Sequence, residues 1–308
     1  MMDEVFKKHC IFITSAGRTG THFFGQNMMH LIEDCSSVHE PDVFAYRLPL
    51  KTFKRIREFG LLKMTVGKFL PRYSFKGLGI ARISGRISDT EAVMCLRRMR
   101  FNTFENLRKG VYLEANFQLS EVADLIPLAF PNARIVYILR DPRSWVRSWM
   151  NMRGYIYSSR DIRSWFKNMR LTPYHFKDDP YQKRWKKMTR FEKLCWLWSR
   201  EHAYALECAE KTEAVKVFRF EDLFEKNGDC EIMEQLLQFI TEFSDGFKAN
   251  WTLRPEILKQ KTNESVRGSF PEWTEWTSEQ VKLLDEHCGS LMRKLGYGNE
   301  PEWQVKAS

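Results

Sequence analysis

The chain predicts an α/β fold, a parallel sheet flanked by helices. Apolar, β-rich runs alternate with segments of helical spacing, and two of those runs break into polar turns that open a helix. With 308 residues and 43% hydrophobic content, a single domain spanning 1–308 has enough apolar side chain for one sizeable core. Neither an internal repeat nor a low-complexity stretch interrupts it.

Taken in order, residues 10–15 read as the first strand and 20–33 as a helix, joined by a small-residue loop. In that loop Gly17 and Gly20 allow backbone N–H groups to turn inward around an anion. The helix N-terminus adds its positive dipole end, and Arg18 with the hydroxyls of Thr19 and Thr21 supplies further donors. The unit is P-loop-like, built to hold a phosphate-like group. Residues 36–44 read as a short strand leading into a basic insertion at about 51–109, within which 88–108 has helical spacing. Val111–Glu114 reads as a strand, Glu121–Phe130 as a helix stopped by Pro131, and 134–139 as a buried strand. Arg140-Asp141-Pro142-Arg143 then opens a helix over 143–152. The polar, aromatic stretch 153–189 breaks this rhythm and reads as an acceptor-binding lid, with Tyr155, Tyr157, Trp165 and Trp185 as candidate stacking surfaces. Phe191–Lys211 has the spacing of a long amphipathic helix with Trp196 in the core, and a strand at 215–220 and helices at 229–243 and 277–295 complete the chain.

The loop lacks the G-x-x-x-x-G-K-[ST] of nucleoside triphosphatases, since Gly17 and Gly20 are too close and no Gly-Lys-Ser/Thr follows. Its S-x-x-R-[ST]-G-[ST] pattern instead resembles the 5′-phosphosulfate loop of sulfotransferases that use 3′-phosphoadenosine 5′-phosphosulfate (PAPS). The Arg18-Thr19-Gly20-Thr21-His22 version looks most like the carbohydrate branch, bacterial Nod-factor and Golgi types included. Arg140 and Ser148, eight residues apart across a strand-to-helix junction, match that family's pair of 3′-phosphate ligands. Val38-His39-Glu40-Pro41, the VFRFEDL segment at 217–223, and Ser265-Val266-Arg267-Gly268 followed by Leu295-Gly296-Tyr297 extend the likeness along the chain.

The resemblance implies a sulfotransferase fold and transfer of a sulfuryl group from PAPS, without a metal, to a hydroxyl of a carbohydrate or glycolipid. It implies nucleotide contacts from Ala16, Gly17, Arg18, Thr19, Gly20, Thr21, His22, Arg140 and Ser148, with Arg267 and Gly268 as further ligands. Arg18 would stabilise the leaving phosphate and Glu40 would act as general base, His39 and Glu114 standing as alternatives. His39 and Glu40, adjacent on a strand, are expected to face opposite sides. Where relatives carry a catalytic Lys or His, this chain reads Glu114-Ala115-Asn116. The rival readings are a P-loop kinase and a non-catalytic basic protein that binds acidic polysaccharide or nucleic acid.

Charge and cysteine content bound the partners. From Lys51 to Lys109, fifteen Lys/Arg stand against four acids, a balance of +11 in a chain whose total is +10. That segment reads either as a solvated helical face or as an electropositive wall for an anionic acceptor or an anionic membrane surface. Phe53, Phe59, Phe69, Tyr73 and Phe75 interleave it, but no nucleic-acid recognition motif is present and no nucleic-acid partner is expected. Seven cysteines without C-x-x-C spacing suit reduced thiols, and the N-terminal apolar run enters the phosphate loop rather than forming a signal peptide. The expected location is therefore cytoplasmic.

Overall fold

The computed structural model describes residues 2–42, 53, 56–57, 60–61, 65–152, 155–224, 230–258 and 268–307. Five strands form one parallel sheet: β1 (His9–Ser15), β2 (Cys35–His39), β3 (Val111–Ala115), β4 (Ala133–Leu139) and β5 (Val215–Arg219), in the order β2-β3-β1-β4-β5. Both faces are covered, as a parallel sheet requires. Cys10, Phe12, Tyr112, Ile135 and Tyr137 point into one apolar cluster, while Ile11, Ile13, Leu113, Val136 and Ile138 point into the other. The order makes the connection after β1 run to one side of the sheet and the one after β4 run to the other. A crevice therefore opens between the carboxyl ends of these two neighbours.

The helices start where capping chemistry allows. Helix α1 (Thr21–Leu31) follows Gly20, which has φ 77° and no side chain with which to cap the helix. Ser74 caps α2 (Phe75–Ile83) and Ser88 caps α3 (Asp89–Glu105). Asp141 caps α4 (Pro142–Met150), with Pro142 pre-set for the first turn. Capping boxes of Thr189 with Glu192 and Thr277 with Gln280 open α5 (Arg190–Lys211) and α7 (Ser278–Lys294), and α6 spans Glu231–Thr241. A third apolar cluster packs α4, α5 and α7 together and holds seven of the ten tryptophans, among them Trp145, Trp149 and Trp198.

Two expectations are corrected. The helix expected over Glu121–Phe130 is a 3₁₀ run, Phe117–Leu125, followed by a single turn, Ile126–Ala129. Pro127 lacks an N–H and would clash with the carbonyl four residues back, so one continuous α-helix cannot pass through it. Strand β2 ends at His39 because Glu40 turns to φ 40°, and residues 43–44 of the expected strand lie outside the described residues.

Part of the basic insertion's charge is paired within the fold. Lys76 pairs with Glu121 and Glu201, Arg82 with Asp89 and Asp124, Arg100 with Glu114 and Asp42, and Arg72 with Glu91. None of its described residues lines the cavity treated below. Lys51, Lys54 and Arg55 lie outside the described residues. No helix among the described residues is long and apolar enough to cross a membrane.

Candidate active site

A cavity of about 510 Å³ opens at the carboxyl edge of the sheet, and the segment after every strand contributes to its wall. Gly17–Phe23 come from β1, His39 and Glu40 from the end of β2, Phe117 from beyond β3, Arg140 from β4, and Phe220 with Phe224 from beyond β5. Helix α4 adds Ser148 and Trp149, and the lid-like stretch adds Tyr155, Arg163 and Arg170.

The loop after β1 is held in an unusual backbone path. Gly17, Arg18 and Gly20 all have positive φ, at 80°, 60° and 77°. A Cβ on Gly17 would meet the Trp149 ring at 2.9 Å, so that position tolerates only glycine. The Gly17 N–H donates to Ser15 Oγ at 3.0 Å, and the Trp145 indole N–H donates to the Gly17 carbonyl at 2.8 Å. For Arg18, a residue with a full side chain, the left-handed conformation costs on the order of 1 kcal/mol, a strain that recurs at functional sites.

Three predicted residues meet here. Arg18 Nε donates to Ser148 Oγ at 2.9 Å, and Arg140 Nη1 donates to the Arg18 carbonyl at 2.5 Å. Burial pulls the Arg18 pKa down from its ordinary value, leaving a guanidinium poorly solvated and receptive to an anion. Arg140 Nε donates to Ser144 Oγ at 2.9 Å, and its guanidinium lies over the Phe220 ring at 4.4 Å. Behind it, the Arg140 N–H donates to His202 Nε2 at 3.3 Å and the Trp198 indole donates to the Arg140 carbonyl at 2.8 Å. His202 is fully buried with its other ring nitrogen on the Trp198 carbonyl, and burial pulls its pKa down to about 3. It is a neutral acceptor that fixes the strand end.

The turn after Arg140 gathers segments from the far end of the chain. Glu221, of the VFRFEDL segment, accepts from the Asp141 N–H at 2.9 Å and from the Tyr297 hydroxyl at 2.7 Å. Arg143 donates to both Asp141 and Glu300. The three motifs that seemed independent in sequence therefore share one junction.

On the opposite wall His39 and Glu40 stand together, with Nε2 and Oε1 3.5 Å apart, and the His22 ring packs edge-on against His39 at 5.0 Å. The expectation that only one of the pair faces the cavity is corrected: strand alternation stops at His39, and the positive φ of Glu40 swings its side chain to the same side. Gly25 permits this approach, since a Cβ there would lie 2.8 Å from the His39 backbone. Glu114 does not line the cavity. It is fully buried and takes Arg100 Nε and Nη2 at 2.6 and 2.5 Å, with Tyr112 and Asn116 donating as well. Every lone-pair direction of that carboxylate is engaged in the fold.

The remaining expected residues divide. The Ala16 side chain belongs to the tryptophan-rich core cluster. Gly268 packs against Asn151, just past α4, and Arg267 lies outside the described residues. Of the aromatic residues of the lid-like stretch, Tyr155 lines the cavity and Trp165 is exposed. Tyr157 and Trp185 pack against each other in the core, their ring centroids 5.2 Å apart, and so do not offer stacking faces. Sequence reasoning missed Ser144, Trp149, Arg163, Arg170 and the Phe220–Phe224 pair. The Trp145/Trp149 and Phe220/Phe224 repeats at four-residue spacing were the available signal.

The cavity suits an anionic group. Thr19 Oγ1 and Trp149 Nε1 are buried in its wall with no hydrogen-bond partner among the described residues, and α1 presents an uncapped N-terminus beside them. A sequence model of the sulfotransferase family matches residues 10–194, from β1 into α5. A solved sulfotransferase domain from the curacin biosynthetic pathway is 16% identical over 97% of this chain and 96% of that one, with a TM-score of 0.40. No curated protein sequence matches. With the match spanning more than half its length and carrying the phosphate loop, the β4 turn and Glu40, the chain belongs to the sulfotransferase family.

Proposed function

We propose that this protein transfers the sulfuryl group of PAPS to a hydroxyl of a carbohydrate or glycolipid acceptor. The observation that carries the reading is the convergence of Arg18, Arg140 and Ser148 within hydrogen-bond distance at the β1–β4 crevice, beside a buried Thr19 hydroxyl with no partner among the described residues. When bound, PAPS supplies an activated sulfuryl group whose departure leaves new negative charge on a phosphate oxygen.

The loop N–H groups from Gly17 to Thr21 and the Arg18 guanidinium hold the 5′-phosphosulfate and stabilise that charge, in a pocket where burial strengthens the interaction. Arg140 and Ser148 grip the 3′-phosphate, Arg140 with a planar fork matched to phosphate oxygens. Phe220 and Phe224 offer apolar faces beside them. Glu40, on the far wall, accepts the acceptor's hydroxyl proton, with the His39 imidazole beside it. Its positive φ is strain of the kind retained where a side chain must be aimed. Tyr155 presents a half-exposed ring on which a sugar face can rest.

Titration calorimetry with adenosine 3′,5′-bisphosphate in the presence of EDTA tests the donor, and transfer of ³⁵S from labelled PAPS to a glycan panel tests the acceptor. Tight, metal-independent binding and label on a saccharide are expected. Lack of bisphosphate binding, or magnesium-dependent ATP turnover in its place, overturns the donor assignment.

A further inference from the structure

Beside the cavity mouth lies an apolar face that nothing in the catalytic reading uses. Val66, Phe69 and Leu70 from the basic insertion and Ile162, Trp165 and Phe166 from the lid-like stretch are exposed, Trp165 to 79%. The rings of Phe69 and Phe166 meet with centroids 4.7 Å apart, and Arg86 Nη1 donates to Asn168 Oδ1 at 2.7 Å. Two segments remote in sequence thus form one surface. Apolar side chains of this size, exposed together, mark a contact site more often than a bare surface.

The two segments that carry this face are basic. Residues 59–88 carry six Lys/Arg and no Asp/Glu, and residues 162–177 carry four and none. Lys76, Arg82 and Arg170 are paired inside the fold and Arg72 with Glu91, whereas Arg163 and Lys167 are exposed among the apolar residues. Aromatic and aliphatic side chains interspersed with cations are the composition that lies in the headgroup region of an anionic bilayer. A second copy of the chain fits poorly, because a two-fold contact through this face would bring like charges together. We propose that this face docks the protein on an anionic lipid surface, with Ile162, Trp165 and Phe166 entering the headgroup region. Arg163 belongs both to this rim and to the cavity wall, so docking would set the cavity mouth beside the lipid headgroups.

Flotation of the full chain with vesicles of phosphatidylcholine alone, or mixed with phosphatidylglycerol, tests this independently of sulfuryl transfer. Binding to the mixed vesicles, weak binding to the neutral ones and loss at high salt are expected. Trp165→Ala should weaken partitioning roughly tenfold or more and Lys167→Gln about fivefold, with bisphosphate binding and melting temperature unchanged. Equal behaviour with both vesicle types, or Trp165→Ala binding like the parent, overturns the proposal. So does a dimer in sedimentation velocity that Trp165→Ala dissociates, which would assign the face to a second copy.

Discussion

Replacing Arg140 by alanine is the most informative perturbation, because this side chain joins the two halves of the proposed donor site. It removes a planar cation over Phe220, an anchor on Ser144 Oγ, and the donor to the Arg18 carbonyl that helps hold the loop in its left-handed path. Loss of one charge-assisted hydrogen bond to a phosphate costs about 1.5–3 kcal/mol, or roughly 10- to 150-fold in affinity. Relaxation of the loop adds to that, so the upper half of the range is expected. Arg140→Lys separates the contributions: it keeps the charge but not the fork, and should recover only part of the loss. Ser144→Ala removes the Nε anchor alone and should fall well short of Arg140→Ala. Calorimetric titration with adenosine 3′,5′-bisphosphate measures all three against the parent. An Arg140→Ala protein that melts normally and binds the bisphosphate within about twofold of the parent would refute the reasoning.

Three further outcomes are expected. Glu40→Gln should retain bisphosphate affinity while turnover falls about 10²–10⁴-fold, and near-normal single-turnover rates would move the role of base to His39. Arg100→Ala should strand the buried Glu114 carboxylate and destabilise the fold by about 3–5 kcal/mol in urea denaturation; a change under 1 kcal/mol would contradict the closed ion pair described here. His202, whose folded pKa is pulled down to about 3 from an ordinary 6.5, contributes stability that is complete above pH 6.5 and lost as pH falls toward 3. At pH 5 the loss reaches about 2 kcal/mol, so denaturation at pH 7 and pH 5 should show a gap that His202→Gln narrows, and an equal gap in both proteins would exclude His202 as its source.

How legible these features were depended on the range of the interactions behind them. The β1 loop and the Arg140 turn were readable because each is a strand, a turn and a helix written within about twenty residues, with apolar period and turn chemistry agreeing. The position of Glu40 was not, because a positive φ in a residue other than glycine leaves no local trace and silently ends the alternation that governs β2. The pairing within the basic insertion was hidden for a related reason. The acids that pair with Lys76, Arg82 and Arg100 include Glu201, Asp124 and Glu114, all beyond the counted segment, so a tally within it of fifteen cations and four acids missed those partners. Glu114 itself carried the right residue type at a strand end, and only its engagement by Arg100, Tyr112 and Asn116 reveals a structural role. Tyr157 and Trp185 were aromatic residues in a polar stretch, and packing alone decided that they are core.

The fastening of the Arg140 turn by Glu221, Tyr297 and Glu300 bears on where this protein can be cut. The recognisable family region stops at residue 194, inside α5 and before the edge strand β5. A fragment trimmed to that region would expose the flank of β4, leave the Asp141 N–H without Glu221, leave the Arg143 guanidinium with Asp141 but without Glu300, and cut α5 after its first turn. Evolutionary signal and mechanical integrity thus have different borders in this chain. Glu221, Tyr297 and Glu300, all beyond the matched region, act as the clasp of the Arg140 end of the cavity. Expression designs that follow the matched region would keep every candidate catalytic residue and lose the frame that aims them.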